Sequence, residues 1–411
     1  MSFIILKKCR ICYSVNILTL FNLGNIAFTG KFPKSIEEKI TKSPLKLVMC
    51  NNCNLVQLGH IFKNSDLYNL DYGYESGINS TMKKHLSNIT KKIIAIKNLT
   101  KDSIVMDIAS NDGTLLNSYP NKIIKIGIDP ILKRFEENYK HIQYKLNKFF
   151  SYKNFLKLKI KKKIDVITAF AVFYDLDNPN KFLREIKKIL KKDGIIIIEQ
   201  SNVCKMLQLN SFDTICQEHS AYYSTKIIIN LLNINKLKLF NHEYNDSNGG
   251  SSRYYITHIE NSDILVNKKN INKALIFENT IKADNIKTYC NLKKKIEKIR
   301  SKCDIFFKNT KKKKLIIHGY GASTKGNVIL QYFNITNKNI KFIADRNPFK
   351  YNRFTPGTKI KIISEADSRK CRPDYYFVLP WHFKKEILSR ESLMRKKGTK
   401  FIFPLPTFQI V

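Results

Sequence analysis

Four of the nine cysteines in this 411-residue chain fall into two closely spaced pairs, Cys9-Arg10-Ile11-Cys12 and Cys50-Asn51-Asn52-Cys53. A Cys-x-x-Cys pair can present two thiolates to one ion, and four sulfurs match a closed tetrahedral Zn²⁺ site. The other five cysteines are scattered, which is typical of free thiols and not of a disulfide framework. The sequence therefore predicts a structural zinc site whose ligands are Cys9, Cys12, Cys50 and Cys53.

A short apolar run at residues 104–108 leads into the polar turn Ser110-Asn111-Asp112-Gly113. This pattern is typical of the first strand, loop and helix of an α/β domain, in which the loop contacts a ligand. The run and the turn carry Asp107 and Asp112 but no lysine, which suits a cationic cofactor better than a pyrophosphate. Gly113 lets the backbone come close to that cofactor.

The next predicted strand, residues 123–128, ends at Asp129, whose carboxylate can accept hydrogen bonds from both hydroxyls of a ribose. An acidic turn followed by a strand-end acid predicts a site for S-adenosylmethionine. The structural alternative is a surface turn with a helix-capping Asp. The candidate cofactor-binding residues are Asp107, Ser110, Asn111, Asp112, Gly113, Asp129 and Ala171, which follows the predicted fourth strand.

Three further stretches carry side chains suited to a substrate. Residues 68–81 are dense in aromatic rings and hydroxyls, which can hold a sugar ring, although core tyrosines with a capping Ser would look the same. Glu218-His219 offers a proton acceptor beside a carboxylate, with a solvated polar face as the alternative. The glycine-rich loop 319–326 carries Lys325 at a predicted helix start, which attracts anions unless the loop is a plain structural turn.

An α/β framework is needed to position these residues. Predicted strands alternate with a helix at 180–190, which favours a parallel doubly wound sheet. The predicted strands of this first unit are 104–108, 123–128, 164–170 and 195–200, the last opened by a turn at Asp193-Gly194.

A second α/β unit follows a polar, lysine-rich helical stretch at about 271–307. Its predicted elements are a strand at 314–318, the glycine-rich loop, a helix at 327–333 and a strand at 340–344. That last strand ends at Asp345, as in a dinucleotide-binding fold, but Thr324 replaces the third glycine of the fingerprint. A diphosphate other than NAD is therefore the better fit.

The length exceeds what one hydrophobic core supports, so two or three domains are expected. The net charge of +40 would ordinarily favour nucleic acid or an anionic membrane as the partner. Lysine is spread from end to end together with abundant Asn and Ile, so a compositional bias of the proteome explains the charge as well as function does. With no targeting segment and no apolar run near ~18–20 residues, we expect a cytoplasmic protein, monomeric or weakly dimeric, that binds neither membrane nor nucleic acid.

The chain resembles the three-domain sugar C-methyltransferases of bacterial nucleotide-sugar pathways over nearly its whole length. No single motif carries the resemblance, but together and in this order the motifs are highly specific. Besides the two cysteine pairs they are residues 72–77, 110–114, 129–130, 217–219, 248–251, 319–326, 345–348, 356–358 and 379–381.

The resemblance implies an amino-terminal zinc-binding domain with a substrate loop at 1–82, a Rossmann-like S-adenosylmethionine-dependent methyltransferase core at 83–258, and a Rossmann-like nucleotide-sugar-binding domain at 259–411. It implies methyl transfer to a sugar carbon beside a keto group on a nucleoside-diphosphate hexose, a reaction of the EC 2.1.1 class. The candidate catalytic residues are His219 as the base, Glu218 to orient it, and Tyr222. The candidate substrate-binding residues are Tyr72, Tyr74, Ser76, Gly77, Lys325, Asn327 and Arg346.

Two stretches depart from the family pattern. The family usually has Tyr-His-Glu-His where this chain has Cys216-Gln217-Glu218-His219, and many members have Asn-Val-x-x-His at residues 171–175. A tyrosine and a second histidine are therefore absent, while His219 is kept. Tyr174 and Tyr222 are candidates to replace the lost hydroxyl, and the departures concern the substrate more than the reaction type.

Three other functions remain open at this point. An RNA methyltransferase also combines zinc, a donor-binding core and positive charge, but the chain has neither Asn-Pro-Pro-Tyr nor a Pro-Cys pair. An NAD-dependent enzyme would use the glycine loop 319–326. A non-catalytic binder of nucleotide-sugars would accommodate the changes at Cys216 and Gln217.

Overall fold

A computed structural model describes residues 3–68 and 71–411 of the chain. Within these residues the strands form sheets of seven, six, four and two strands, and helices cover both large sheets. The predicted α/β class, with two Rossmann-like units and a small amino-terminal module, is confirmed. In the described ranges, every helix is too short or too polar to cross a membrane.

The amino-terminal module is mainly a three-stranded antiparallel sheet to which a distant segment adds a fourth strand. The order is β11-β4-β3-β2, in which β11 is the distant segment Ala221–Tyr222, and β1 pairs separately with β5. Its strands are β1 Phe3–Ile5, β2 Ile17–Ala27, β3 Lys42–Cys50, β4 Val56–Leu58 and β5 His60–Phe62. Helix α1 Asn64–Leu67 follows, and then α2 Ser80–Lys97, which begins where the Asn79 side chain caps the backbone amides of Thr81 and Met82.

The central unit is built on the seven-stranded sheet, in the order β12-β13-β10-β9-β6-β7-β8. The five strands from β10 to β8 run parallel, and β12 and β13 are antiparallel to their neighbours. The strands are β6 Ile104–Ile108, β7 Ile124–Ile128, β8 Tyr144–Leu146, β9 Ile164–Phe170, β10 Leu190–Ser201, β12 Leu237–Asn245 and β13 Ser251–His258. Strand β11 Ala221–Tyr222 lies between β10 and β12 in the sequence and joins the amino-terminal sheet. The helices are α3 Thr114–Asn117, α4 Tyr152–Phe155, α5 Pro179–Ile189, α6 Val203–Gln208 and α7 Thr225–Ile234.

The strand order changes direction between β6 and β9, which places a crevice at their carboxyl ends. The loops after these strands are the ones that carry the predicted cofactor residues. One predicted boundary was wrong: Asp193-Gly194 lies inside β10 and does not open it. The pairing of β10 with β9 shifts register between Leu190 and Ile195, and this irregularity accommodates the extra residues.

The carboxyl-terminal unit has a six-stranded sheet in the order β16-β15-β14-β17-β18-β19, parallel except for its last strand. Its strands are β14 Ile317–Tyr320, β15 Phe342–Asp345, β16 Lys361–Ser364, β17 Tyr375–Val378, β18 Lys400–Phe403 and β19 Gln409–Ile410. Its helices are α9 Ile286–Lys312, α10 Thr324–Tyr332, α11 Glu365–Lys370, α12 Lys384–Arg390 and α13 Ser392–Lys396, whereas the preceding helix, α8 Lys268–Ile281, packs against β12 and α7 of the central unit.

The predicted lysine-rich helical stretch consists of two helices, α8 and α9. Lys282 adopts a left-handed conformation with φ 55°, which ends α8, and Asn285 caps α9. The buried apolar residues also cross the predicted domain boundaries, because one cluster joins Phe21 and Leu47 of the amino-terminal sheet to Ile343 and Phe377 of the carboxyl-terminal sheet. The division at residues 82 and 258 stays a prediction.

The four paired cysteines meet in the amino-terminal module. Their Sγ atoms all lie within 4.8 Å of one another, with 3.6 Å between Cys9 and Cys53 and 3.5 Å between Cys12 and Cys50. A ZnS₄ tetrahedron with Zn–S bonds near 2.3 Å has S···S edges of about 3.8 Å, so the sulfurs fit one zinc ion. The two pairs lie on two turns of the same kind. In each turn the residue after the second cysteine, Tyr13 or Asn54, donates its backbone amide to the carbonyl of the first cysteine, Cys9 or Cys50.

Arg10, between the first two cysteines, links this module to the central unit. Its side chain is buried, donates to the carbonyls of Leu58 and His60, and lies 3.7 Å from the carboxylate of Asp177. Nearby, the Asn180 side chain donates to the carbonyl of Ile11. The turn between Cys9 and Cys12 therefore contacts the segment that follows strand β9.

Cys50→Ser is expected to lower the yield of folded protein and its zinc content, because a closed structural site contributes folding free energy directly. The wild type should hold about one Zn²⁺ per chain by elemental analysis, and the variant should melt at a lower temperature. Cys290→Ser, at an exposed cysteine, is the matched control. Active, fully folded protein without zinc would contradict the assignment.

Candidate active site

A cavity of about 330 Å³ opens at the carboxyl ends of the central strands and is shared by all three parts of the chain. The loop after β6 contributes Ala109 and Asn111, and the loop after β9 contributes Ala171. Residues from the loop 71–81 and from the carboxyl-terminal unit complete the lining. Of the predicted site residues, the cavity brings together Tyr72, Tyr74, Ser76, Asn111, Asp129, Ala171, Glu218, His219 and Lys325.

Asp129, which follows β7, binds the loop after β6 (residues 109–113), which carries predicted cofactor residues and is called the cofactor loop below. Its Oδ2 accepts the amide of Asn111 and its Oδ1 accepts the amide of Ile131, each at 2.8 Å. Burial raises its pKa to about 6, against the two backbone hydrogen bonds that lower it. The carboxylate faces the cavity and has further lone pairs for the hydroxyls of a ribose.

The side chains of Asn111 and Asp112 bind the protein backbone. Ser76 donates its amide to Asn111 Oδ1, Asn111 Nδ2 donates to the carbonyl of Tyr74, and the amide of Gly77 donates to Asp112 Oδ2. The cofactor loop therefore clamps residues 74–77 over the cavity. A Cβ on Gly77 would lie 2.7 Å from Asp112 Oδ2, so this close approach requires glycine. Asn69 and Leu70 of the predicted aromatic loop lie outside the described residues.

The other predicted cofactor residues support this loop from outside the cavity lining. Ser110 accepts a hydrogen bond from the hydroxyl of Tyr139, and Gly113 adopts φ 75° against the ring of the same tyrosine. Asp107 is buried and accepts a hydrogen bond from Thr168. Burial raises its pKa to about 7. These groups lie one layer behind the cavity surface.

Two alanines in the left-handed region line the cavity, Ala109 at φ 58° and Ala171 at φ 51°. Each donates its amide to a strand-end carbonyl, of Ile128 and Glu199 respectively. Small side chains leave space above these strand ends where a ligand can approach. The sequence analysis named Ala171 but missed Ala109, because a non-glycine residue at positive φ has no signal in a single sequence.

His219 lies on the loop between β10 and β11 with an oriented ring. Its Nδ1 lies 2.6 Å from the carbonyl oxygen of Thr214, so Nδ1 carries the proton and Nε2 keeps its lone pair. Burial lowers its pKa to about 3, and the positive charge of Lys325 lowers it further. The histidine is therefore neutral near pH 7. Tyr174 packs against it, with ring centroids 4.2 Å apart.

Glu218 does not orient this histidine, contrary to the expectation from the sequence. The carbonyl of Thr214 fills that role, while Glu218 accepts a hydrogen bond from the Thr29 hydroxyl at 3.3 Å. Glu218 is buried in the cavity wall, and burial raises its pKa. Tyr222 has a buried hydroxyl that finds no hydrogen-bond partner in the described ranges and lies outside the lining, whereas Tyr174 lines the cavity.

Two lysines of the carboxyl-terminal unit reach the cavity. Lys325, in the first turn of α10, donates to the carbonyl of Asn248, and Lys350 donates to the carbonyl of Ala322 at 2.7 Å. Ser323 and Thr324 line the cavity beside them at the amino end of the helix. These cations and helix amides can hold an anion.

Asn327 and Arg346, two predicted substrate residues, are engaged elsewhere. Asn327 donates to the carbonyl of Thr29 at 2.7 Å, and Arg346 pairs with Glu386 at 3.3 Å. Neither belongs to the cavity lining.

The structure adds cavity residues that the sequence analysis missed. Asp175 and Lys350 stand out as charged groups, and both amide atoms of the buried Gln200 side chain lack a partner within the described chain. Gln200 follows Glu199 near the end of β10, where these two polar residues interrupt the apolar run, and that interruption was the available signal.

Family models match three consecutive parts of the chain. A family described as "Putative zinc binding domain" matches residues 9–68, one described as "Methyltransferase domain" matches residues 63–238, and one described as "C-methyltransferase C-terminal domain" matches residues 246–406. The second match contains the five parallel strands of the central sheet, and the third contains β13 of that sheet together with strands β14 to β18 of the carboxyl-terminal sheet.

A curated relative is similar over almost the entire chain. The C-methyltransferase NovU of Streptomyces niveus is 22% identical over 410 residues, which are 99% of this chain and 97% of the relative. Among solved structures, a S-adenosylmethionine-dependent methyltransferase from Clostridium acetobutylicum ATCC 824 aligns with 16% identity and a TM-score of 0.35, over 43% of this chain and 92% of that one. Magnesium protoporphyrin IX methyltransferase from Synechocystis PCC 6803 aligns with 10% identity and a TM-score of 0.34, over 45% and 90%.

The models for a zinc-binding domain, a methyltransferase domain and a C-methyltransferase carboxyl-terminal domain match consecutive parts of this one chain, and the relative is similar over its full length. The chain is an S-adenosylmethionine-dependent methyltransferase that is similar in all three parts to C-methyltransferases.

Proposed function

We propose that this enzyme methylates a carbon beside the keto group of a nucleoside-diphosphate sugar. The observation that carries the proposal is the neutral His219, whose free Nε2 belongs to the same cavity as the cofactor loop and the anion-binding end of α10. A base, a methyl donor and an activated sugar are what this reaction must bring together.

The residues on the cofactor side fit S-adenosylmethionine. Asp129 is placed to accept the ribose hydroxyls, Ala109 and Ala171 leave space above the strand ends, and the clamped residues 74–77 cover the cavity. When bound, the cofactor supplies a methyl group on a sulfonium centre. The part of the protein is to hold the acceptor carbon in line with that group and to exclude water.

The nucleotide end of the substrate is assigned to the carboxyl-terminal unit. Lys325 and Lys350 provide positive charge, and Ser323 and Thr324 provide the amino end of α10 for the diphosphate. The sugar then extends toward His219 and the tyrosine-rich wall. Asp345, the strand-end acid that an NAD site would use, lies outside the cavity lining, which disfavours the oxidoreductase alternative.

His219 Nε2 is assigned as the base that takes the proton from the carbon next to the carbonyl. The C–H electron pair forms a carbon–carbon double bond, and the carbonyl electron pair moves to the oxygen. The resulting enediolate carbon then attacks the methyl group, and the carbonyl is restored. Because Thr214 holds the Nδ1 proton, the ring presents Nε2 as acceptor without rotation.

His219→Gln is expected to lower methyl transfer by about 10²–10⁴-fold, the usual loss of a positioned general base. Binding of S-adenosylmethionine, measured by calorimetry, should be unchanged, and exchange of the substrate α-proton in deuterated water should slow in parallel. Because the pKa of His219 is about 3, the wild-type rate should show no loss from its protonation between pH 8 and about pH 5. His141→Gln, at an exposed histidine, is the control. Near-normal turnover of His219→Gln would exclude the role.

Asp129→Ala is expected to weaken S-adenosylmethionine by roughly 10- to 150-fold, because hydrogen bonds to a charged acceptor contribute about 1.5–3 kcal/mol. Since burial raises the pKa of Asp129 to about 6, wild-type affinity should also fall as the pH drops below that value and the carboxylate is protonated. Asp345→Ala tests the corresponding position of the other Rossmann-like unit. Equal losses in both variants would indicate a general folding effect and move the ribose contact elsewhere.

Lys325→Ala is expected to weaken a nucleoside diphosphate by about 10-fold or more and to leave the affinity for S-adenosylmethionine unchanged, since only the anion site loses a charge. Thermal shift with thymidine diphosphate, uridine diphosphate and NAD measures this. Lys338→Ala, at an exposed lysine of the same unit, is the control. Stabilisation by NAD alone would favour the oxidoreductase, and turnover of bulk RNA would favour an RNA methyltransferase.

A further inference from the structure

Two carboxyl groups face the cavity next to His219. Asp175 ends the short helical turn Phe173–Asp175 after β9, and Glu218 lies on the loop after β10. Asp175 is 9% exposed and Glu218 is 4% exposed. The hydroxyl of Tyr68 donates to Asp175 Oδ2 at 2.7 Å, whereas Asp175 Oδ1 is buried and has no hydrogen-bond partner among the described residues.

Neither carboxyl forms an ion pair within the ranges that the structure describes. The two cavity lysines are engaged elsewhere, because Lys325 donates to Asn248 and Lys350 lies 3.6 Å from Asp345. Buried carboxylates without a cation are costly, and such groups take up a proton instead. Burial raises the pKa of Asp175 well above its usual range, and the negative charge of Glu218 raises it further.

The groups around Asp175 reinforce this effect. Besides its hydrogen bond with Tyr68, Asp175 interacts electrostatically with Tyr72, Tyr174, Tyr222, Cys216 and Glu218. Ionisation of any of them would add negative charge, and none can add positive charge. The hydrogen bond from Tyr68 favours the carboxylate, but it occupies only one of the two oxygens.

We propose that Asp175 acts as a protonated carboxylic acid that donates a hydrogen bond from Oδ1 to the carbonyl oxygen of the substrate. As His219 Nε2 takes the α-proton, negative charge develops on this oxygen, and the donor from Asp175 stabilises it. The Asp175 proton stays on Oδ1 or shifts toward the oxygen in the enediolate. It returns when the new carbon–carbon bond forms and the carbonyl is restored, so Asp175 is unchanged over the cycle.

This assignment rests on the proposed function and supplies a group that the function needs. An enediolate carries its charge mainly on oxygen, so a base alone leaves that charge unsatisfied in a water-excluded cavity.

The test is α-proton exchange in deuterated water with a thymidine-diphosphate 4-keto-6-deoxyhexose as probe and no methyl donor present. Asp175→Ala is expected to slow exchange by about 10²–10³-fold, the usual loss of one oxyanion donor. Asp175→Asn keeps an N–H donor and should lose less. The wild-type rate should fall as the pH rises and Asp175 ionises, and the Asn variant should lack that fall. Asp165→Asn, at the opposite end of β9 where the carboxylate pairs with Lys191, is the control.

Infrared spectroscopy gives a readout that needs no substrate. At neutral pH the wild type should show the C=O stretch of protonated carboxyls, and Asp175→Asn should remove one component of this band that Asp165→Asn leaves in place. If the Asn variant fails to fold, the same stretch followed in the wild type as the pH is raised tests the protonation.

Three results would overturn the assignment. The first is an infrared spectrum in which no protonated carboxyl depends on Asp175, and the second is an unchanged rate of α-proton exchange in Asp175→Ala. The third is a normal exchange rate in Asp175→Asn together with weakened binding of UDP-glucosamine relative to UDP-glucose. The last result would mean that the carboxylate is charged and holds an ammonium group. If the wild type exchanges no keto-sugar, the proposed function fails instead, and the infrared result still decides the protonation of Asp175.

Discussion

The position of His219 depends on a strand of two residues. Ala221 pairs with Gln57 and Tyr222 with Val56, and the amide of Leu58 donates to the carbonyl of Ser220. Backbone hydrogen bonds fix register, so the catalytic loop of the central unit is held by the sheet of the zinc module. The sheet of the zinc module therefore helps to determine where His219, the proposed base, lies.

The two Rossmann-like units share one hydrogen-bond pattern with different outcomes. The carboxylate of Asp129 accepts hydrogen bonds from the backbone amide of Asn111, in the loop after the first strand of its unit, and from that of Ile131. The carboxylate of Asp345 accepts the corresponding hydrogen bonds from the amides of Ala322 and Asn347. In the second unit, however, Pro380 lies against Gly321 and the Lys350 side chain reaches Ala322 and Asp345. Protein side chains thus fill the space beside this loop in which a cofactor would bind. The amino end of α10 lines the cavity instead.

Local patterns predicted the strands, the cysteine cluster and the cofactor loop, because each depends on residues close in sequence. The cavity wall was harder, since Tyr68, Asp175 and Glu218 come from three distant segments and meet only through tertiary packing. The departures at Cys216 and Gln217 could not be interpreted from sequence either. Gln217 is fully buried and binds Thr29, Ser43 and the carbonyl of Ile26, so it holds the catalytic loop against the amino-terminal module.

The charges that matter to the reaction are few and buried, although the chain carries a net charge of +40. Exposed lysines are screened by salt over about 8–10 Å, so they contribute little inside the cavity. There, a single lysine helps to keep His219 neutral, and carboxyls without cations favour their protonated forms. If His219 is a neutral base and Asp175 a neutral acid, neither group has to be buried as an ion before the reaction begins. The proposed enediolate then forms by proton transfer to the base, with the acid stabilising the charge that develops on oxygen.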